Sequence, residues 1–379
     1  MTTRKQLIGQ IQRPGQRPEN VRLSVSETFN GVPNPLFLEQ FGGGVDKSAA
    51  DNDAAFGAIV DKMADGVRRI QFKEGQYKFA TAWPTNFGSG INGIVMEGVG
   101  AHRQTATDAG TEICFEAAED DIFWQPTNVH HCVLRNLRFI SDDSTVRRTL
   151  GLSIRGCSGW LLEQVHFRDW TTGGLEFRTD TSTGSLYHTA INCSATNITK
   201  ANAADEEAYG LRVRDPDSGE ATNQNVFINW NSGSCDTGVS QQDTPNETVF
   251  IGLEVGSCTV GVRVVGRGLY INGANIENCT TGISVPGGAS NVRMVLDGVS
   301  LISNTTGILA ASGATGVVYF TGGRVTGNST DFNLATNFYL VPGEVTNTNT
   351  PSGATAYALP YHDAGGTLLG YIPVYTSQW

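Results

Sequence analysis

Two glutamates, Glu254 and Glu277, stand where a pair of carboxylates could act together, and their placement follows from a recurring phrase. The phrase is Cys235-x-x-Gly238-Val239, Cys258-x-x-Gly261-Val262, Cys279-x-x-Gly282-Ile283 and Asn304-x-x-Gly307-Ile308. Counting back seven residues from each glycine gives one polar column, Asn231, Glu254, Asn275 and Ser300. Glu277 lies five before Gly282, in the neighbouring outward column. If the phrases stack one strand spacing apart, the Cα atoms of Glu254 and Glu277 are about 8 Å from each other. Carboxylates at that range can flank a glycosidic bond with room for a water, with Glu277 as general acid and Glu254 as general base in an inverting hydrolysis. Asp297, on the next repeat, is expected as a supporting carboxylate, and Glu176 with Asp180 as weaker candidates of the same kind. His166 joins the polar column when Gly173 is taken as its turn glycine. With Asn231 and Asn275 it offers hydrogen bonds to a bound sugar.

Other side chains extend the candidate surface. Flat rings suit sugar stacking, and Trp160, Trp170, Trp230, Tyr187, Tyr209 and Tyr270 gather in the middle of the chain. Trp170, at a turn beside Asp169, is the ring expected to be exposed, whereas Trp230 precedes an outward residue and should point inward. Arg263 is read as an outward substrate-binding cation. With Arg212 and Arg214 it could instead stabilise the enolate of a uronic acid in a β-elimination.

Several chemistries find no support. The chain has no GxSxG, no P-loop and no GxGxxG opening a helix after a strand, so acyl transfer, nucleotide hydrolysis and dinucleotide binding are set aside. Asp215-Pro-Asp217 is too loose a pair for calcium, and His130-His131 lacks metal-ligand spacing. No cofactor and no metal are called for. The seven cysteines include no CxxC pair, and three recur at one turn, which predicts buried, interchangeable structural thiols. The net charge of −11 leaves no basic stripe for nucleic acid. The opening Met1-Thr-Thr-Arg-Lys has no apolar signal region and no long apolar run follows, so a soluble product of a reducing cytoplasm, without membrane insertion, is expected.

The elements that must position these residues are short and repetitive. The glycines of the phrase fall 23, 21 and 25 residues apart, each flanked by Val/Ile/Leu-rich runs. That is the period of a solenoid whose coils stack in register. The 46 glycines and only 17% charged residues suit β structure with many tight turns. Three parts are expected: an arm over 1–36 carrying Arg4, Lys5, Arg13, Arg17, Arg22 and four prolines; a solenoid over 37–335 of ten or eleven coils; and a C-terminal element over 336–379. In the last part a hairpin closes at Asp363-Ala-Gly-Gly. An isolated ribbon is marginal, so packing against copies of itself, as a homotrimer, completes it. An insertion over 197–208, with Asp205, Glu206 and Glu207, interrupts the coils.

The solenoid's opening carries a resemblance. Phe41-Gly42-Gly43-Gly44-Val45-Asp46 leads to Asp51-Asn52-Asp53, read as a helix cap. Ala54, Ala55, Phe56, Ile59, Val60 and Met63 then lie on one helical face, and Ile70 to Phe79 alternates around Gly75. This arrangement resembles the N-terminal part of the pectate-lyase-like superfamily of right-handed parallel β-helices, all-β proteins in which the helix caps the open end. The chain as a whole resembles bacteriophage tailspike depolymerases of that type. The resemblance implies a virion tail protein, made in the host cytoplasm and joined to the tail through its N-terminal arm. It also implies binding and cleavage of a bacterial capsular or O-antigen polysaccharide. A polysaccharide lyase and a binding-only fibre are the alternatives.

Overall fold

A computed structural model describes residues 35–342, apart from 64, 67, 88–90, 101–109, 117–120, 143–148, 181–182, 202–206, 216–221 and 243–245. It also describes strands within 7–23 and 346–374. The chain divides into two compact units, Met1–Pro35 and Leu36–Trp379. In the first, Leu7–Ile11 pairs antiparallel with Glu19–Leu23. The second is an all-β parallel solenoid preceded by a helix, as the repeat and the opening motif predict.

One corner of each coil shows why the phrase recurs. A Cβ added to Gly238 would sit 2.8 Å from the carbonyl oxygen of Gly261, one added to Gly261 2.5 Å from that of Gly282, and one added to Gly282 2.7 Å from that of Gly307. Successive coils approach here too closely for any side chain, and the requirement is steric. The column continues upward through Gly210, Gly174 and Gly151. Gly174 takes the place that the sequence reading gives to Gly173, because Gly173 pairs with Tyr209 in the row of Thr237. That coil therefore carries one extra residue.

From this corner the chain runs through three faces. Face one is a sheet with nine described strands from Asp121–Trp124 to Thr330–Asn333, including Gly173–Arg178, Tyr209–Arg214, Thr237–Gln242 and Val260–Val264. Faces two and three are halves of long strands such as Asn246–Gly256, Leu269–Glu277 and Val292–Ile302, each bent once. The bend is a left-handed residue: Asn136, Gln164, Asn192 and Asn229 in the earlier coils, Gly252, Gly273, Gly298 and Gly322 in the later ones. Asn229 Nδ2 donates to Asn192 Oδ1 at 2.9 Å, so the asparagines tie coil to coil. Inward residues stack in register, as in Val239–Val262–Ile283–Ile308 and Val255–Ile276–Leu301, and these are buried.

The core changes along the axis. Its first half is aromatic: Phe56 of the helix Ala49–Met63 stacks on Trp83 at 4.2 Å, Phe139 on Phe167 at 5.5 Å and Phe227 on Phe250 at 4.7 Å. The later coils are mainly aliphatic. The helix begins one turn earlier than the Asp51 cluster suggests, since the Ser48 hydroxyl accepts the Asp51 N–H at 3.2 Å while Asp51 bonds back to Ser48. Its buried face is Asn52, Ala55, Phe56, Ile59 and Met63, with Ala54 exposed.

All seven cysteines are free and buried. Cys235, Cys258 and Cys279 form the expected column at the turn before face one. Asn304 inherits the place, with its side chain donating to Ile276 O at 3.0 Å. Burial pushes the Cys193 thiol up to about 12, far from thiolate reactivity at neutral pH. Past the solenoid, Tyr357–His362 pairs antiparallel with Leu368–Val374, the expected hairpin, whose turn lies outside the described residues. Among the described residues no helix is long and apolar enough to cross a membrane.

Buried His188 adds a pH-sensitive element to the core. Its Nδ1 accepts the Trp160 backbone N–H at 3.3 Å, its Nε2 lies 2.9 Å from Ser185 Oγ, and its ring stacks on Phe177. Burial lowers its pKa to about 3. The unfolded chain therefore binds a proton below the ordinary histidine value that the folded chain refuses, and stability falls as pH drops from about 6.5 towards 3. In denaturant titrations across that range, His188→Gln should reduce the slope of stability against pH by about 1.4 kcal/mol per pH unit. The glycine columns predict opposite signs for two substitutions. Gly261→Ala should cost about 1–3 kcal/mol by overpacking. Gly273→Asn, at φ +67° with open space beside it, should be neutral or stabilising by up to about 1 kcal/mol. Thermal unfolding of both variants checks the pair.

Candidate functional site

Glu254 and Glu277 project from the outer side of face three. The register pairs Asn231 with Glu254, Glu254 with Asn275, and Asn275 with Ser300, which is the polar column read from the sequence. Glu277 is the partner of Gly256, one rung on and two residues along from Glu254. That step places the two Cα atoms about 8 Å apart. Glu254 is exposed and accepts a hydrogen bond from Asn231 Nδ2 at 2.6 Å, while Glu277 is half-buried. Asn275, between Glu254 and Ser300, has a buried side-chain oxygen with no hydrogen-bond donor. The sheet thus places two carboxylates in one patch, with the Asn231 amide bonded to one of them.

Four other expected site residues do not join this patch. Asp297 pairs with Asn272 and Thr321 on face two, before the bend at Gly298, whereas Glu277 pairs with Ile302 beyond it. Its Oδ1 accepts from Thr321 Oγ1 at 3.1 Å, and it does not join the pair. Trp170 is fully buried, with its indole N–H donating to Phe139 O at 3.2 Å. It heads the very turn column that continues through Ile198 to Cys235, so its ring fills the core and offers no sugar platform. His166 does share the polar column, through Ser194 and Asn231. It is nonetheless buried, with Nδ1 2.7 Å from Ser194 Oγ, as are its register partners Arg138 and Ser194. Arg263 is on face one and pairs with Glu207. Of the six aromatics singled out, Tyr187 is the well-exposed one, at 59%, and Trp230 is buried as expected.

Face one carries a charged cluster that the sequence reading did not assemble. Its outward residues stand two and four positions after the turn glycine. The rows are Ser153–Glu176–Arg212–Ser240–Arg263 and Arg155–Arg178–Arg214–Gln242. Glu176 is fully buried: Arg212 Nη2 and Nε approach its Oε1 at 2.6 and 2.8 Å, Arg214 Nε at 2.7 Å, and Ser153 Oγ donates to Oε2 at 2.7 Å. Burial alone would raise this carboxyl, but Arg212, Arg214, the serine and Arg178 together outweigh it and hold the group below the ordinary carboxylate range. Glu176 is thus a fixed anion and no general acid. Arg155 reaches Asp180 at 3.0 Å, and the Arg212 guanidinium lies 3.9 Å over the Tyr209 ring. Of the insertion, residues 202–206 lie outside the described residues, while Glu207 bonds Thr237 and Arg263.

A groove of about 780 Å³ opens at the turn into face two, lined by Arg267, Tyr270, Arg293 and Val317 among others, and neither glutamate of the pair lines it. Among the described residues no group of three or more His, Cys, Asp or Glu is placed to hold a metal ion.

No protein-family model matches the chain, and no curated protein matches it. Solved structures do. A protein of Geobacillus virus E2, ORF18, superposes with a TM-score of 0.54 at 13% identity, over 87% of this chain and 65% of that one. PfbA, a surface adhesin of Streptococcus pneumoniae, gives 0.50 at 9% identity, over 90% and 99%. The A-module of the mannuronan C-5 epimerase AlgE6 of Azotobacter vinelandii gives 0.49 at 14%, over 84% and 96%. The likeness is one of fold alone, a parallel β-solenoid.

Replacing Glu176 by Gln leaves Arg212 and Arg214 without their counter-ion in a buried setting. The expected loss is about 3–5 kcal/mol, measured by chemical denaturation. A variant as stable as the parent would mean that the cluster contributes nothing to folding.

Proposed function

We propose that this protein is a phage tailspike that binds a bacterial capsular or O-antigen polysaccharide and hydrolyses its glycosidic bonds. The observation that carries the reading is the register of face three, which sets the Cα atoms of Glu254 and Glu277 about 8 Å apart with both side chains on the outer side of the sheet. Side chains rooted at that spacing can hold their carboxyl groups as an inverting mechanism requires, in which one carboxylate activates a water and the other protonates the leaving oxygen. Glu277, the less exposed of the two, takes the role of general acid. Glu254, oriented by Asn231, takes that of general base. The shared fold supports the reading only as context, since a solenoid presents a long flank along which a polymer can lie and a viral protein uses the same architecture. The homotrimer, the tail attachment through residues 1–36 and the site of action at the bacterial surface are part of the same proposal.

The test is incubation with a panel of purified capsular and O-antigen polysaccharides, recording reducing-end release and the ultraviolet absorbance of unsaturated uronates. Hydrolysis predicts reducing ends without absorbance. Glu254→Gln and Glu277→Gln should each lower cleavage by about 10²-fold or more while leaving glycan binding in place. Cleavage at the parent rate in both variants rules out these roles, absorbance would indicate a lyase, and binding without any product would indicate a receptor-binding fibre.

A further inference from the structure

The corner at which each coil enters face two carries side chains that the fold does not ask for. Counted from the paired strands, Tyr187, Gln224, Glu247, Gly268, Arg293 and Val317 stand in one row on six consecutive rungs. The first four have left-handed backbones, with φ of +61°, +56°, +55° and +73°. Glycine and asparagine adopt that conformation most readily, and they fill the bend between faces two and three except at Gln164. At the entry corner a tyrosine, a glutamine and a glutamate hold it in three consecutive coils, where asparagine would strain the backbone less. None of the three is repaid by packing: all are exposed, and none has a side-chain hydrogen bond or ion pair to the described residues. From Gln224 to Val317 the row lines the groove of about 780 Å³, and Tyr187 stands one rung beyond its end. Arg267 and Tyr270 line the same groove. Arg267 and Arg293 are exposed, and neither is paired with a carboxylate of the described residues. The Arg293 guanidinium lies 5.9 Å over the exposed Tyr319 ring.

We propose that this corner is a glycan-holding subsite, in which the polysaccharide lies along the solenoid axis with one sugar ring stacked on Tyr187 and the next ones hydrogen-bonded in the groove. This rests on the reading that the protein binds a polysaccharide, and it adds a holding site apart from the carboxylate pair. The row is about 24 Å long at one strand spacing per rung, enough to engage several linked sugars, and the groove has the volume of an organic ligand site. A polyhydroxylated chain matches what the corner offers. Tyr187 presents an apolar ring face for stacking, Gln224 and Glu247 accept from hydroxyls, and Gln224, Arg267 and Arg293 donate to them. With Glu247 set against the two guanidinium groups, the groove carries no strong charge of one sign, which disfavours nucleic acid. The strand Asn246–Gly256 carries Glu247 before the bend at Gly252 and Glu254 after it, so the subsite and the pair belong to the same coils.

The experiment measures binding and thermal unfolding side by side on the full chain, for the parent, Tyr187→Asn and Arg293→Gln. The probes are the purified capsular and O-antigen polysaccharides of the panel above, immobilised. Tyr187→Asn should melt at or above the temperature of the parent, because asparagine accepts the left-handed backbone, and yet bind about tenfold more weakly. Arg293→Gln should weaken binding about threefold or more at an unchanged melting temperature. A Tyr187→Asn variant that melts below the parent assigns the ring to the fold and overturns the inference. Parental affinity in either variant overturns it as well, while leaving the polysaccharide reading intact. A parent that binds no polysaccharide of the panel overturns both.

Discussion

The constraint on which the structure depends is the contact of backbone with backbone at the glycine corner. From Gly151 to Gly307, each glycine sits so close to the carbonyl of the next coil that a single added carbon would collide with it. A shift of one residue in the coils of Gly238, Gly261, Gly282 or Gly307 would bring a side chain into that contact. The glycine therefore fixes the register, and the register fixes which residues share a row. The inward columns, the carboxylate pair and the arginine row are all read as offsets from this one position. A solenoid also distributes such a constraint: each coil enforces it on its neighbours only, so a long body is specified by a short local rule.

Polar burial follows from the same stacking. Side chains that would be costly to bury singly are satisfied by the coil above or below, as with Asn304 against Ile276 and His188 between Trp160 and Ser185. Glu176 is the extreme case, a buried carboxylate held by cations from its own face. Such groups make the packing order of the coils specific, because an exchange of neighbours would leave each of them without its partner.

The fold and half of the candidate surface were legible in the sequence for this reason. Residue spacing from Gly238, Gly261, Gly282 and Gly307 is regular, and the row Asn231–Glu254–Asn275–Ser300 follows from it by counting. Counting misled where a coil departs from the rule. Choosing Gly173 in place of Gly174 displaced Glu176 by one position and concealed its alignment with Arg212 and Ser240, although His166 still fell in the right row because the coil has one residue more. Trp170 was misread because a large ring can occupy a column that cysteine fills elsewhere. Asp297 was misjudged because a bend inside a strand, at Gly298, leaves no trace in hydrophobic periodicity. The burial of His166 is a tertiary matter that no local pattern encodes.

The bend between faces two and three changes chemistry along the axis, from Asn136, Gln164, Asn192 and Asn229 to Gly252, Gly273, Gly298 and Gly322. An asparagine there is already biased towards the left-handed conformation and can bond its neighbour, whereas a glycine surrenders more freedom on folding and brings no side chain. The aromatic core ends over the same stretch. The two gradients run in the same direction. At Asn192 and Asn229 the bend is tied coil to coil by side chains, a tie that the glycine bends of the later coils lack.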